Sequence, residues 1–174
     1  GNYLLRDEGV GVHAIWELQK SPPQRVVIAE IGTAILGALH LLEWAEYILV
    51  IDAMKAGGSP GSIYTCTLGD LELQQRSSSL HQLGIINALS FLRRTSQPRV
   101  CVIGVEPQLI EYGTELSGIV QDSLPRVLKL VRSKIAEWAR QGKVLQSPQF
   151  DAKFSHQLKA LEGISREGDG GWLE

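Results

Sequence analysis

Short runs dense in Val and Ile recur along this chain, and helix-period segments lie between them. "RVVIA" (Arg25–Ala29), "YILVI" (Tyr47–Ile51), "SIYTCTL" (Ser62–Leu68) and "RVCVIGV" (Arg99–Val105) read as strands. Three of the four are nearly continuous β-branched runs, the pattern of parallel strands covered on both faces. Apolar residues at helical spacing mark Gly11–Gln19, Thr33–Ala45 and, behind the Ser77–Ser79 cap cluster, His81–Arg94. A last helix starts with Ser123 as N-cap and Pro125 in its first turn, presents Val127, Leu128, Val131, Ile135 and Trp138 on one face, and stops at Gly142. Alternation of this kind builds an α/β domain: an open, mostly parallel twisted sheet with helices on both faces, three layers in all. Residues 1–142 form that single domain in this reading, and the polar stretch 143–174 is its tail.

The composition removes several function classes. A formal net charge of −2 over 174 residues gives no reason to expect nucleic acid or an anionic membrane as partner. The longest apolar stretch, Ala34 to Leu42, is interrupted by His40 and falls far short of the ~20 residues that span a bilayer. No secretory pattern is visible, and Cys66 and Cys101 sit in apolar strand contexts that suit reduced core thiols. A cytoplasmic monomer is expected.

Three acids fall at the carboxyl ends of the extended segments, where open α/β sheets bind ligands. Glu8 follows Tyr3–Leu5, Glu30 follows "RVVIA" and Asp52 follows "YILVI", while His81 stands where the next helix opens. Two carboxylates and an imidazole at one sheet edge would make a nitrogen–oxygen metal site with open positions. Each residue also has a plainer reading. Asp7 and Glu8 favour the positive end of the first helix, Asp52 starts a turn, and His13 and His40 pack within helices. Gly9-x-Gly11-x-x-Ala14, with Glu30 about twenty residues on, also fits the glycine fingerprint of a dinucleotide-binding module. Against that stand Asp7 and Glu8, whose charges would repel a pyrophosphate.

"GNYLLRDEGVGV", "ILVIDA", "HQLGI" and "VIGVEP" occur in this order, and together they resemble the maturation endopeptidases of [NiFe]-hydrogenases from Gly1 to about Gly142. The "HQLGI" form is similar to the branch serving uptake-type hydrogenases. The resemblance implies an enzyme that removes a C-terminal extension from the hydrogenase large-subunit precursor once nickel is inserted. It also implies that Glu8, Asp52 and His81 recognise that nickel or, in its absence, another divalent metal. Glu8 and Asp52 are the candidates for base or ligand in the hydrolysis. Glu30 takes the auxiliary loop position, although Glu30-Ile31-Gly32-Thr33 replaces the family's Asp-Gly-Gly-Thr-like turn. The family's apolar strand before the Gly-Asn pair is missing, so the chain reads as a shortened version of a longer protein whose neighbouring strands keep unpaired edges. A non-catalytic metal-binding or chaperone protein on the same fold would share the ligand set. No Gly-x-Ser-x-Gly, His-Glu-x-x-His or Asp-Thr-Gly motif is present, so no nucleophile can be named.

Overall fold

The computed structural model describes residues 1–33, 35–43, 45–73 and 98–141. The helix expected over His81–Arg94, with His81 itself, and the tail 143–174 with His156 lie outside the described residues. The chain divides into two units, Gly1–Trp138 and Ala139–Glu174; the sheet and both core layers described below belong to the first.

Three strands form one sheet: β1 (Tyr47–Ala53), β2 (Ile63–Thr67) and β3 (Arg99–Val105), in the order β1-β3-β2. β1 and β3 run parallel in the register Tyr47↔Arg99 to Ala53↔Val105, as expected for two Val/Ile-rich runs joined by a long crossover. β2 is antiparallel to β3, Ile63 facing Val105 and Thr67 facing Cys101, and so departs from the parallel reading of the four runs. It is the outer strand on that side among the described residues and is only half-buried, with Thr65 and Thr67 exposed, which is where mixed α/β sheets carry their antiparallel member.

Arg25–Ala29 is a correction. The run has strand composition yet belongs to no strand, and Arg25 adopts φ 58°. A β-branched run becomes a strand only when a neighbour takes its N–H and C=O groups, and among the described residues none pairs with this run in a ladder. The helix expected over Thr33–Ala45 is also shorter: a 3-10 turn, Ile35–Ala38, leads into the single turn α2 (Leu39–Leu42). Gly37 in that turn weakens the helix, and His40 is exposed on α2 instead of packed.

The remaining helices are α1 (Val10–Lys20), α3 (Leu68–Leu73) and α4 (Gly118–Gln141). Thr67 and Asp70 form a reciprocal cap at the start of α3. Asp70 Oδ2 accepts from the Thr67 amide at 2.8 Å and from its hydroxyl at 2.7 Å, while the Asp70 amide donates to Thr67 Oγ1 at 3.4 Å. α4 begins five residues before the expected Ser123 cap. Ser123 is buried inside the helix, donating from Oγ to the Val120 carbonyl at 2.6 Å, and Pro125 is likewise interior. Ser and Pro carry start signals, but the apolar register Val120, Leu124, Val127 and Val131 extends upstream of them and decides where the helix lies.

The pleat of β1 and β3 separates two apolar layers. Leu49, Ile51, Ala53, Ile103 and Val105 join Val10, Ala14 and Leu18 of α1 and the buried face of α4. Ile48, Val50, Val100 and Val102 face the other way, with Leu42 of α2, Met54, Tyr64 and Cys66. Met54 lies against Gly104, where an added Cβ would come within 2.6 Å of Met54 Cβ. Cys66 and Cys101 are free thiols in this sheet, and burial pushes both above the usual thiol pKa, in keeping with reduced core residues. No helix among the described residues is long and apolar enough to cross a membrane.

Candidate active site

The site is built at the carboxyl ends of β1 and β3, around the first nine residues. Asp52 is the sixth residue of β1; it is buried, and its Oδ1 accepts the Ala53 amide at 3.0 Å. The Gly1 nitrogen lies 3.2 Å from the same oxygen and donates to the Gly32 carbonyl at 3.3 Å. A Cβ at position 1 would collide with the Glu8 carbonyl and come within 3.1 Å of Asp52 Oδ1. Glycine is therefore required there, and it lets the Glu8 turn and the Asp52 strand end close on each other.

Glu8 belongs to a 3-10 turn, Arg6–Gly9, that leads directly into α1. Glu8 is half-buried, and its carboxylate makes no hydrogen bond or ion pair with the described residues. Asp7, its neighbour, is fully buried. Asp7 Oδ2 accepts from the Gln108 and Leu109 amides and the Ser117 hydroxyl, each at 2.8 Å, and Oδ1 accepts from the Ser117 amide at 2.7 Å. Burial alone would raise its pKa; these four donors outweigh that and hold Asp7 below the ordinary carboxylate value. The two acids of the opening motif thus have separate jobs, one turned inward to the Gln108–Ser117 segment and one left available.

The Gly9-Val10-Gly11 turn does not cradle phosphate. A Cβ on Gly11 would strike the Ile51 carbonyl, and one on Gly9 would lie 3.1 Å from Tyr3 Cα. Both glycines serve close passage of backbone against backbone, which removes the basis of the dinucleotide reading. Glu30 is exposed and accepts a hydrogen bond from Trp16 Nε1 at 3.1 Å. Trp16 packs edge-on to Tyr3 at 5.0 Å and lies 5.2 Å from His13, whose Nε2 is 3.0 Å from the Thr114 carbonyl. His13 is a packing residue, as its helical position suggests. A cleft of about 160 Å³ runs beside the outer edge of β1, bounded by Gly1, Gly11, Glu30, Gly32, Ile51 and Asp52 among others.

A further carboxylate was not singled out from the sequence. Glu106 follows β3 and is buried; its Oε2 accepts from the Ala56 amide at 2.8 Å, the Gly58 amide at 3.3 Å and the Tyr64 hydroxyl at 2.8 Å. Burial would raise its pKa, but these bonds prevail and lower it. Glu106 ties down the loop that follows Asp52. The signal for it was the acid within "VIGVEP", which directly follows a strand as Asp52 closes one. The structure sets the Glu8 backbone carbonyl and the Asp52 carboxylate against Gly1 and places Glu30 on the rim of the cleft. His81 is outside the described residues, and among those described no group of three His, Cys, Asp or Glu side chains could hold a metal ion.

An open α/β sheet with helices on both faces, and with acids gathered at the carboxyl ends of its parallel strands, defines an α/β protein whose candidate ligand site is that edge. Residues 12–134 match the family model described as HycI, hydrogenase maturation protease. The chain is 33% identical to the hydrogenase expression/formation protein HupD of Bradyrhizobium diazoefficiens, over 79% of this chain and 76% of that protein. It is 30% identical to the hydrogenase 2 maturation protease of Escherichia coli K12, over 79% of this chain and 87% of the relative. Among solved structures it resembles the hydrogenase maturating endopeptidase HybD from E. coli, with a TM-score of 0.71 and 28% identity, covering 79% of this chain and 88% of that one. The chain belongs to the hydrogenase maturation protease family, and it is a hydrolase of that kind.

Proposed function

We propose that this protein cuts the C-terminal extension from a [NiFe]-hydrogenase large-subunit precursor, and does so only after nickel is in place. Glu8, Asp52 and His81 are the side chains that meet the precursor's nickel. The observation that carries this reading is the packing of the Glu8 turn against the Asp52 strand end across a glycine that admits no side chain. Peptide hydrolysis adds water across the C–N bond, so it needs a base for the water proton and polarisation of the carbonyl. The nickel of the substrate would supply the polarisation. Glu8, whose lone pairs are not used by the described residues, and Asp52 are the carboxylates that ligate it or take the proton. Three nitrogen and oxygen donors leave coordination positions open, so free metal binds weakly and the precursor's own ligands complete the shell. An empty precursor then offers nothing for the enzyme to bridge.

The deciding experiment incubates nickel-loaded and nickel-free precursor with the protein and measures the mass of the precursor's C-terminus. Loss of the extension from the loaded form alone is expected, and Asp52→Asn and His81→Ala should each abolish it while circular dichroism stays unchanged. Equal cleavage of both forms, or cleavage of neither, overturns the proposal.

A further inference from the structure

Asp7 has nothing left to offer a substrate, because four donors already occupy its two oxygens. Those donors all lie between Gln108 and Ser117, more than 100 positions along the chain. What they hold is a weak element. The Arg6–Gly9 turn has four residues and no side-chain cap, and its first residue, Arg6, has φ 47°, a region that non-glycine residues seldom occupy. One turn of 3-10 helix does not persist without outside support. Here the support comes from the 109–113 segment: the Arg6 amide donates to the Gly113 carbonyl at 2.8 Å, the Gly113 amide to the Leu4 carbonyl at 3.1 Å, and the Asp7 amide to the Leu109 carbonyl at 3.2 Å. Asp7 is the one side chain of the turn that is fully buried. Successive side chains of a 3-10 turn point about 120° apart, so fixing Asp7 inward fixes the direction in which Glu8 leaves the turn.

We propose that Asp7 is the positioning residue of the nickel-reading site, acting through Glu8 by locking the turn that carries it. This rests on the reading of Glu8 as a residue that meets the precursor's nickel. Outer partners that orient a ligating side chain change metal affinity or activity by roughly 10–100-fold when removed.

The test compares the parent with Asp7→Asn, Ser117→Ala and Val131→Ala in the full chain. Ser117→Ala removes a single donor from Asp7. Val131→Ala opens the apolar layer under α4 and serves as the variant that loses stability without touching the turn. Two quantities are read well below each variant's melting temperature: affinity for Ni2+ alone by calorimetric titration, and kcat and KM on nickel-loaded precursor. Asp7→Asn should lower Ni2+ affinity and kcat by about 10–100-fold with a smaller change in KM. Ser117→Ala should lose less in the same direction, and Val131→Ala should keep parental values. Parental Ni2+ affinity and kcat in Asp7→Asn, or equal losses in Val131→Ala, overturn the proposal. If Asp7→Asn does not fold, parental values in Ser117→Ala overturn it instead. A parent that binds Ni2+ but leaves the precursor intact would defeat the functional reading, while the titrations would still decide the role of Asp7.

Discussion

Glu106 shows how much one buried carboxylate can organise. Its single oxygen Oε2 gathers two loop amides and a tyrosine hydroxyl, and each such charge-assisted bond is stronger than a neutral one. Because its folded pKa lies below the ordinary value of 4.5, the unfolded chain binds the proton more tightly. Glu106 therefore contributes stability that is complete above that ordinary value and disappears as the pH falls through the depressed folded one. Glu106→Gln keeps an acceptor but loses the charge, and should cost about 1–3 kcal/mol at pH 7. Urea unfolding followed from pH 7 to pH 3 should show a flatter acid limb in the variant than in the parent. An identical acid limb would mean that the charge of Glu106 contributes nothing. The Asp7 interactions were illegible in the sequence for a simple reason: every donor lies at least 101 positions away, and nothing local in "RDEG" distinguishes an acid facing inward from one facing out.

Elements were legible where the chain itself carried enough signal. β1 and β3 stood out because continuous Val/Ile runs fit a doubly covered strand, and α1 because Gly11–Gln19 carries apolar residues such as Ala14 and Leu18 at helical spacing. Arg25–Ala29 has the same local composition, yet strand formation depends on a neighbouring backbone that composition cannot report. The start of α4 was misplaced because Ser123 and Pro125 mimic a cap, while the packing that extends the helix back to Gly118 is tertiary. Asp52 could be placed because strand ends in an α/β sheet face one edge, whereas the turn that carries Glu8, and Gly1 beside it, could be understood only once the backbones were placed. Gly11 carries the prediction at this scale. It lets α1 approach the Ile51 carbonyl, and a methyl group there cannot be accommodated without moving the helix off β1. Gly11→Ala should destabilise the protein by about 1–3 kcal/mol, although alanine is the better helix former. Thermal melting should show the loss, and an unchanged or raised melting temperature would mean that α1 has room to shift.

Across the whole domain the two ends of the sheet are held by different chemistry. At the amino ends of β1 and β3, Tyr47 stacks on Trp138 at 5.0 Å and Arg99 lies 5.8 Å above the Tyr47 ring. At the carboxyl ends, around the candidate site, the loops hang on two buried acids, Asp7 and Glu106. Both have depressed pKa values, so acidification weakens both in the same sense. Hydrogen exchange followed as the pH falls below the ordinary carboxylate range should therefore release the amides of residues 56–58 and 108–117 while β3 remains protected. Simultaneous release of loops and strands would show a single cooperative unit instead. Met54 lends itself to watching that end of the molecule. It is the one methionine in the sequence, it is packed on Gly104, and it stands two residues beyond Asp52. A sample grown with carbon-13 methyl methionine would give one resonance for the folded chain, with no assignment problem. The methyl lies among aromatic and branched neighbours, so its chemical shift would act as a spectroscopic beacon for any rearrangement when Ni2+ or precursor arrives.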